Sequence, residues 1–398
     1  MALTFISQLI LSDEAGFACS KSKLVAKKGV VHLRPFNISD KGHLDLTETY
    51  MIPVEEAPKS KLGLMAGDIL FNNTNSVDWV GKSALIKADI PHAFSNHMNR
   101  VRVDQNKVIP AWFYYWLEQK RKSGFFSANC TQWVSQAAYR LSSLNNTQID
   151  LPPLDEQQRI VDILDRAASI QRLRQAADEK LKQIIPALFV DMFGGTAQIK
   201  DRWPQMRLDE VADIGSGITK GRQIDPAEAI DVPYLRVANV QDGYLDMDEI
   251  KTITIRRTEQ AKYALQNGDI VMTEGGDLDK LGRGYVWANE LRYCAHQNHV
   301  FKVRPRQQLV SPYFLATYVG SPAGKDYFLR VAKRTTGIAS INKTQLSALP
   351  VPVPPIELQR AFEQKLADLR SIQGLGSRST NAALQVAASV SSAFFSAA

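Results

Sequence analysis

Three short stretches of this 398-residue chain hold residue types that could do chemistry. "VGKS" (Val80 to Ser83) ends like the glycine-rich loop that cradles nucleotide phosphates on backbone N–H groups. That loop needs a glycine five residues before Gly81, and Ser76 stands there, which argues against ATP binding. "GSGITKG" (215–221) spaces its glycines wrongly for a dinucleotide fingerprint, with Lys220 in the slot of the last glycine. "HQNH" (296–299) sets two imidazoles three residues apart without a third ligand nearby to complete a metal site. Cys19, Cys130 and Cys294 form no CxxC pair, so neither a zinc site nor a disulfide framework is expected, and a reducing cytoplasm fits best. There is no His/Asp/Ser constellation and no methyltransferase or nuclease signature. The sequence gives catalysis nothing to work with.

What must be positioned is therefore a binding surface, and the chain announces its framework by repetition. "HLRPFNI" (32–38) sits over "YLRVANV" (234–240), and "GHLDL" (42–46) over "GYLDM" (243–247). "GDIL" (67–70) matches "GDIV" (268–271), "VGKSA" (80–84) matches "LGRGY" (281–285), and "RV" (102–103) meets "KV" (302–303). "SLNNTQI" (143–149) is echoed by "SINKTQL" (340–346), "PLDEQ" (153–157) by "PIELQ" (355–359), and "SIQ" recurs at 169 and 371. All fall in one order at offsets of 197 to 202, so a unit of about 200 residues is duplicated. The formal charge of +7 sits mainly in the two large segments, which suits a polyanion partner. No apolar run approaches the roughly 18 residues that span a bilayer. "MALTFISQLILSDEAGF" has no basic leader and reads as a buried first strand or helix.

Two textures alternate within each copy. Short β-rich runs punctuated by Gly, Asn and Asp fill the first part. "AWFYYWLEQKRK" (111–122) and "PYFLATYVG" (312–320) read as helices packed on that sheet. A proline clause follows, "LPPL" or "LPVPVPPI", and beyond it a long helix. The first helix carries Ile160, Ile163, Ala167, Ile170, Ala177, Leu181, Ile184 and Leu188 in a 3-4 seam interrupted by Arg174, with Pro186 set to end or kink it. The second runs through Leu358, Phe362, Leu366 and Leu369, is expected to break around Gly374 and Gly376, and resumes at Ala383, Ala387, Val390 and Phe394. The seams would pack on each other, or each helix on its own globular unit.

At this point the residues carry a resemblance. "PPLDEQQRIVDILDRAASIQRLR" resembles the helical region of the specificity subunits of type I restriction-modification systems. "WPQMRLDEVADIGSG" followed by "VPYLRVANVQDGYLD" resembles the opening of their target-recognition domains, though the first copy lacks a clear "WPQMRL". The resemblance implies an α/β fold: two similar recognition domains separated by two long antiparallel helices, related by a pseudo-twofold internal repeat. The expected boundaries are 1–150 and 196–350 for the domains, and 151–195 and 351–398 for the helices. It implies double-stranded DNA as partner, with two methylation subunits and two restriction (motor-nuclease) subunits. S-adenosylmethionine, ATP and Mg would belong to those partners, and this chain would be non-catalytic, with no cofactor. A helix of about 36 residues would span about 54 Å, suited to a split target with an unread spacer.

DNA contacts are expected from Asn73, Asn75, Ser76 and Lys82 of the polar loop after "GDIL", with Tyr139 and Arg140. In the second copy they are expected from Lys220, Arg222, Lys280, Arg283, Lys333 and Arg334. Asn reads adenine and Arg reads guanine most readily in the major groove. The competing reading is a duplicated protein-interaction scaffold, which leaves the basic excess and the polar loops without a role.

Overall fold

The computed structural model describes residues 2–20, 28–134, 136–276, 281–335 and 338–395. The chain divides into two compact units, Met1–Arg174 with Ser377–Ala398, and Gln175–Gly376. Each unit is an α/β body, and each takes one half of both long helices.

In the first unit a four-stranded antiparallel sheet runs in the order Ile10–Ala15, Met98–Val103, Ile69–Asn72, Ser83–Leu85. Ile69, Phe71 and Val101 pack with Trp112, Phe113, Trp116 and Leu117 of the helix Pro110–Lys122. Leu70, Ala84 and Met98, one step out of phase, pack with Leu33, Leu64 and Phe94 of a second sheet. Strand alternation sends neighbouring side chains into the two cores. That second sheet holds Met51–Ile52, Val30–Leu33, Ile90–Phe94 and Leu62–Leu64, with its central pair parallel.

The second unit repeats the plan with Ala212–Gly215, Val300–Pro305, Ile270–Thr273 and Gly284–Val286, under the helix Pro312–Gly320. Gln205–Arg207 of "WPQMRL" pairs with Pro350–Pro352. The first copy does have a counterpart: Ala2–Phe5 pairs with Gln148–Leu151, and Ile6 and Leu9 are buried as Leu208 and Val211 are.

Register corrects two of the sequence matches. Arg102 is ion-paired with Asp68 and Arg304 with Asp269, so Arg102 corresponds to Arg304 and not to Lys302. "SLNNTQI" and "SINKTQL" are not equivalent either. The Tyr139 N–H donates to Asn73 O, and the Ile341 N–H donates to Glu274 O, both at 2.8 Å. Leu144 then matches Leu346, both fully buried, and the heptapeptides lie five residues out of register. Asn342 caps the short helix Lys343–Ser347, whereas Asn145 ends the 3-10 turn Leu141–Leu144. The jump in offset from 197 to 202, which suggests a first copy five residues shorter before its proline clause, is therefore not a deletion.

Where the copies match, buried polar groups explain it. Asn37 Nδ2 donates to Asp45 O and Glu48 O, and Asn239 Nδ2 donates to Asp246 O and Glu249 O, at 2.8–3.0 Å. One side chain thus ties "HLRPFNI" to "GHLDL", and its twin ties "YLRVANV" to "GYLDM". Gln157 and Gln359, both 0% exposed, fasten the start of each long helix. Their Oε1 accepts from Ile109 N and Ser311 N at 2.8 Å. Their Nε2 donates to Lys107 O and Pro152 O, and to Leu309 O and Pro354 O. Leaving such a buried group unpaired costs roughly 1–3 kcal/mol. Glu156 faces the surface with Arg159, so the second copy can carry Leu358 there.

Both long helices are 40 residues, Leu154–Phe193 and Ile356–Phe395. The first continues past Pro186, and the second runs unbroken through Gly374 and Gly376, contrary to the breaks expected. The second seam lies where its spacing predicts. In the first, Ala177 and Ile184 are exposed, and Asp178 and Ile185 take their places on the covered side. A 3-4 pattern has two phases on one helix, and the apolar flank at 163, 170, 177 and 184 suggested the wrong one. Both expected packings occur. Ile160, Val161 and Leu164 join the first unit's core with Phe395, whose ring lies 5.3 Å from Trp112. Phe189 and Phe193 join the second unit's core, against Phe314 and Phe362.

Candidate nucleic-acid interface

In each unit the central strand of the four-stranded sheet runs on into a small three-stranded sheet. In the first, Thr74–Asn75 pairs with Ala137–Ala138, which pairs with Thr131–Gln132. The polar loop, this hairpin and the turn at 95–98 are thereby brought together. Asn73 is the knot: its N–H donates to His97 O at 3.1 Å and its carbonyl accepts from Tyr139 N. Its Nδ2 donates to Asn96 O at 3.1 Å and to Asn99 Oδ1, and Asn99 Nδ2 donates on to Asp13 Oδ1. Both amide hydrogens are already given to partners within the chain, so Asn73 cannot offer the bidentate pair by which Asn reads adenine.

Two more first-unit candidates fall inside the fold. Lys82 is 6% exposed, its Nζ 4.5 Å from the Trp79 ring centre and 3.9 Å from Asp40, and burial lowers its pKa. Tyr139 is buried against Phe71 and Phe126, and burial pushes its hydroxyl up to about 12. Asn75 Oδ1 accepts from the Ser76 N–H at 2.8 Å. Ser76 and Arg140 are exposed. Sequence reasoning missed the hairpin tip, where Trp133 is 59% exposed beside Val134. An aromatic residue inside a β-rich run reads as core, which hid it.

The second unit joins Gly275–Gly276 to Ile338–Ser340 and Lys333–Thr335 in the same way. Lys333 and Arg334 are exposed on the outer strand, with Arg334 Nη2 donating to Leu329 O at 2.8 Å. The loop 216–222 meets this region because Ile218 N donates to His296 O and Asn298 N donates to Ile218 O. Lys220 is exposed on that loop, its Nζ 5.7 Å from the Tyr234 ring centre. Arg222 is committed: one nitrogen donates to both oxygens of Glu259 at 2.8 Å, a bond that raises the Arg pKa and lowers the Glu pKa. Arg283 is half-buried and donates to Gln241 Oε1 at 2.9 Å. Lys280 lies outside the described residues. Sequence reasoning also passed over Glu274 and His299, whose Nδ1–H donates to Glu274 Oε2 at 2.9 Å. The signal was available: Glu274 follows "GDIVMT" as Asn73 follows "GDILFN".

The remaining motifs resolve into packing. Gly81 and Gly282 adopt φ of 84° and 68°, and a Cβ at either would strike the ring of Phe126 or Phe328 at under 3 Å. In "HQNH", His296 is buried and donates to Val300 O while His299 faces Glu274, so the two imidazoles do not converge. Among the described residues no group of three or more His, Cys, Asp or Glu could hold a metal ion, and no helix is long and apolar enough to cross a membrane.

The family model described as the type I restriction modification DNA specificity domain matches residues 51–183 and 200–374. Over 355 residues the chain is 22% identical to the type I restriction enzyme EcoKI specificity subunit of Escherichia coli K12, covering 85% of this chain and 74% of that one. The StySPI specificity subunit of Salmonella potsdam is 22% identical over 354 residues, with coverage of 85% and 74%. The fold matches the S subunit of the type I restriction-modification system of M. genitalium at a TM-score of 0.59 and 13% identity, over 98% of this chain and 94% of that one. It also matches a chain from a structure concerning complex assembly and conformational transition of the type I system, at 0.57 and 18% identity, over 99% and 97%. A duplicated α/β unit, two 40-residue helices and a family match in both copies lead to one conclusion: the chain belongs to the DNA specificity subunits of type I restriction-modification systems.

Proposed function

We propose that this specificity subunit reads a two-part target in double-stranded DNA, one half with each unit, and that its long helices set the unread spacer. The observation that carries this reading is one backbone scaffold bearing two different surfaces. The clamps at Asn73 and Glu274 are the same in both units, while the outer hairpin strand begins Thr131-Gln132 in one and Lys333-Arg334 in the other. Arg140, Lys220, Lys333 and Arg334 supply phosphate contacts, which position without specifying. Asn75 and Ser76 are the first unit's candidates for base edges, and Arg283 is retained as a candidate in the second. Residues 1–150 and 196–350 act as the readers and the segments 151–195 and 351–398 as the arms.

The helices also carry a docking surface for two methylation subunits. Leu173, Ile372, Leu375 and Val386 are exposed on them, and large apolar side chains in water mark interaction sites. Two restriction subunits complete the assembly, and S-adenosylmethionine, ATP and Mg are held by the partners. The test is to exchange residues 1–150 for the matching part of a relative and sequence the methylome. One half of the methylated motif should change and the other remain; a change in both halves would end the idea of independent reading.

A further inference from the structure

We infer that Glu274, braced by His299, is a base-reading residue of the second unit that accepts from the exocyclic amino group of cytosine or adenine; this rests on the two-part reading above. Glu274 and Asn73 occupy one place in the duplicated scaffold. Each has its N–H on the carbonyl of a turn histidine, His299 at 3.0 Å or His97 at 3.1 Å, and its carbonyl on the strand beyond the hairpin at 2.8 Å. The backbone at this place is thus fixed identically, and only the side chain is left to differ.

What surrounds the two side chains then diverges. In the first unit the Asp13–Asn99 relay claims the Asn73 amide. In the second, strand register puts Ile214 opposite Val303 as Asp13 lies opposite Val101, and Phe301 stands where Asn99 does. Among the described residues, no polar side chain takes the places of Asn99 and Asp13 to claim Glu274. It turns to His299, and the pair lies at the surface, with side chains 31% and 56% exposed. Gly275 and Gly276 follow, where the first unit has Thr74 and Asn75, so no side chain from them screens the carboxylate.

The chemistry of the pair selects its ligand. With Nδ1–H given to Oε2, His299 holds the carboxylate in place and leaves Oε1 as an acceptor. A carboxylate oxygen accepts and does not donate, which suits cytosine N4 or adenine N6 and opposes guanine O6/N7 and thymine O4. A carboxylate is repelled by phosphate, so contact with the duplex has to be through a base edge. Lys220, Lys333 and Arg334, exposed on the flanking loop and hairpin, offset that repulsion.

The experiment is methylome sequencing with the assembled complex carrying Glu274→Gln or Glu274→Ala, with binding to duplexes varied one base at a time. Both variants should lose discrimination at a single position of the second half-site, by roughly ten- to a hundredfold, with the first half-site and spacer unchanged. An unchanged motif in both variants, weakening spread evenly over all sequences, or a change in the first half-site would overturn the assignment. A parent complex that leaves no two-part methylation motif would instead sink the reading on which it rests, and this assignment with it.

Discussion

His296 shows how one residue can separate the two copies. It occupies the place of Phe94, buried in the same parallel strand pair, and its Nδ1–H donates to Val300 O at 2.6 Å. Burial pushes its pKa down to about 4. Between that value and the ordinary 6.5 the unfolded chain binds a proton that the native chain refuses, so stability rises with pH in this window and is lost as pH falls through it. His32, His43 and His92 are also held low by burial, so the first unit contributes with the same sign. His296→Phe should therefore lose less melting temperature than the parent between pH 7 and pH 5; equal losses would show that His296 does not carry the effect. Gln359→Leu strands the Ser311 N–H and two carbonyls in the core, and should cost about 2–3 kcal/mol in a urea titration. Glu156→Leu, which copies the second unit into the first, should stay within about 0.5 kcal/mol. Similar costs for both would mean that the buried amide is not what fixes the helix start.

Among the elements, the second long helix carries a glycine whose Cβ would meet nothing within 4 Å, Gly374. Glycine inside a helix costs about 1 kcal/mol relative to alanine, so Gly374→Ala should stabilise by that order, and a lower melting temperature would reveal an unseen close approach. That glycine also marks where the sequence misleads. Propensity suggested a break there, yet the seam resumes in phase at Ala383 because packing at Phe362 and Phe395 outweighs one residue's preference. The duplication was legible because Asn37, Asp68 and Gln157 recur as Asn239, Asp269 and Gln359, each held by buried bonds that tolerate little else. The heptapeptide match misled because polar loop residues recur by chance, with no buried bond to fix their register. At the site, lysine and tyrosine in a polar stretch read as surface. Only the fold shows Lys82 over Trp79 and Tyr139 among phenylalanines.

For the whole molecule the proposed two-part reading raises the question of what would set the distance between half-sites. The seam of the second helix runs Phe362, Leu366, Leu369, Gln373, Gly376, Thr380, Ala383, Ala387, in strict 3-4 alternation. Its middle is polar, as is that of the first, where Asp178 Oδ1 accepts from Gln373 Nε2 at 3.1 Å. A polar middle holds the helices in one register without the apolar cost of disturbing a core. Seven residues inserted after Arg174 and seven after Gly376 would return each seam to within about 20° of its phase. Each helix would lengthen by about 10.5 Å, which is about three base pairs at 3.4 Å each. If the helices are the ruler, the methylome of a strain carrying both insertions keeps both half-sites and gains two to three base pairs of spacer. Insertion into one helix alone throws the two seams out of register and should abolish methylation. An active double insertion with the parental spacer would show that the distance is fixed elsewhere, in the partner subunits or in the DNA.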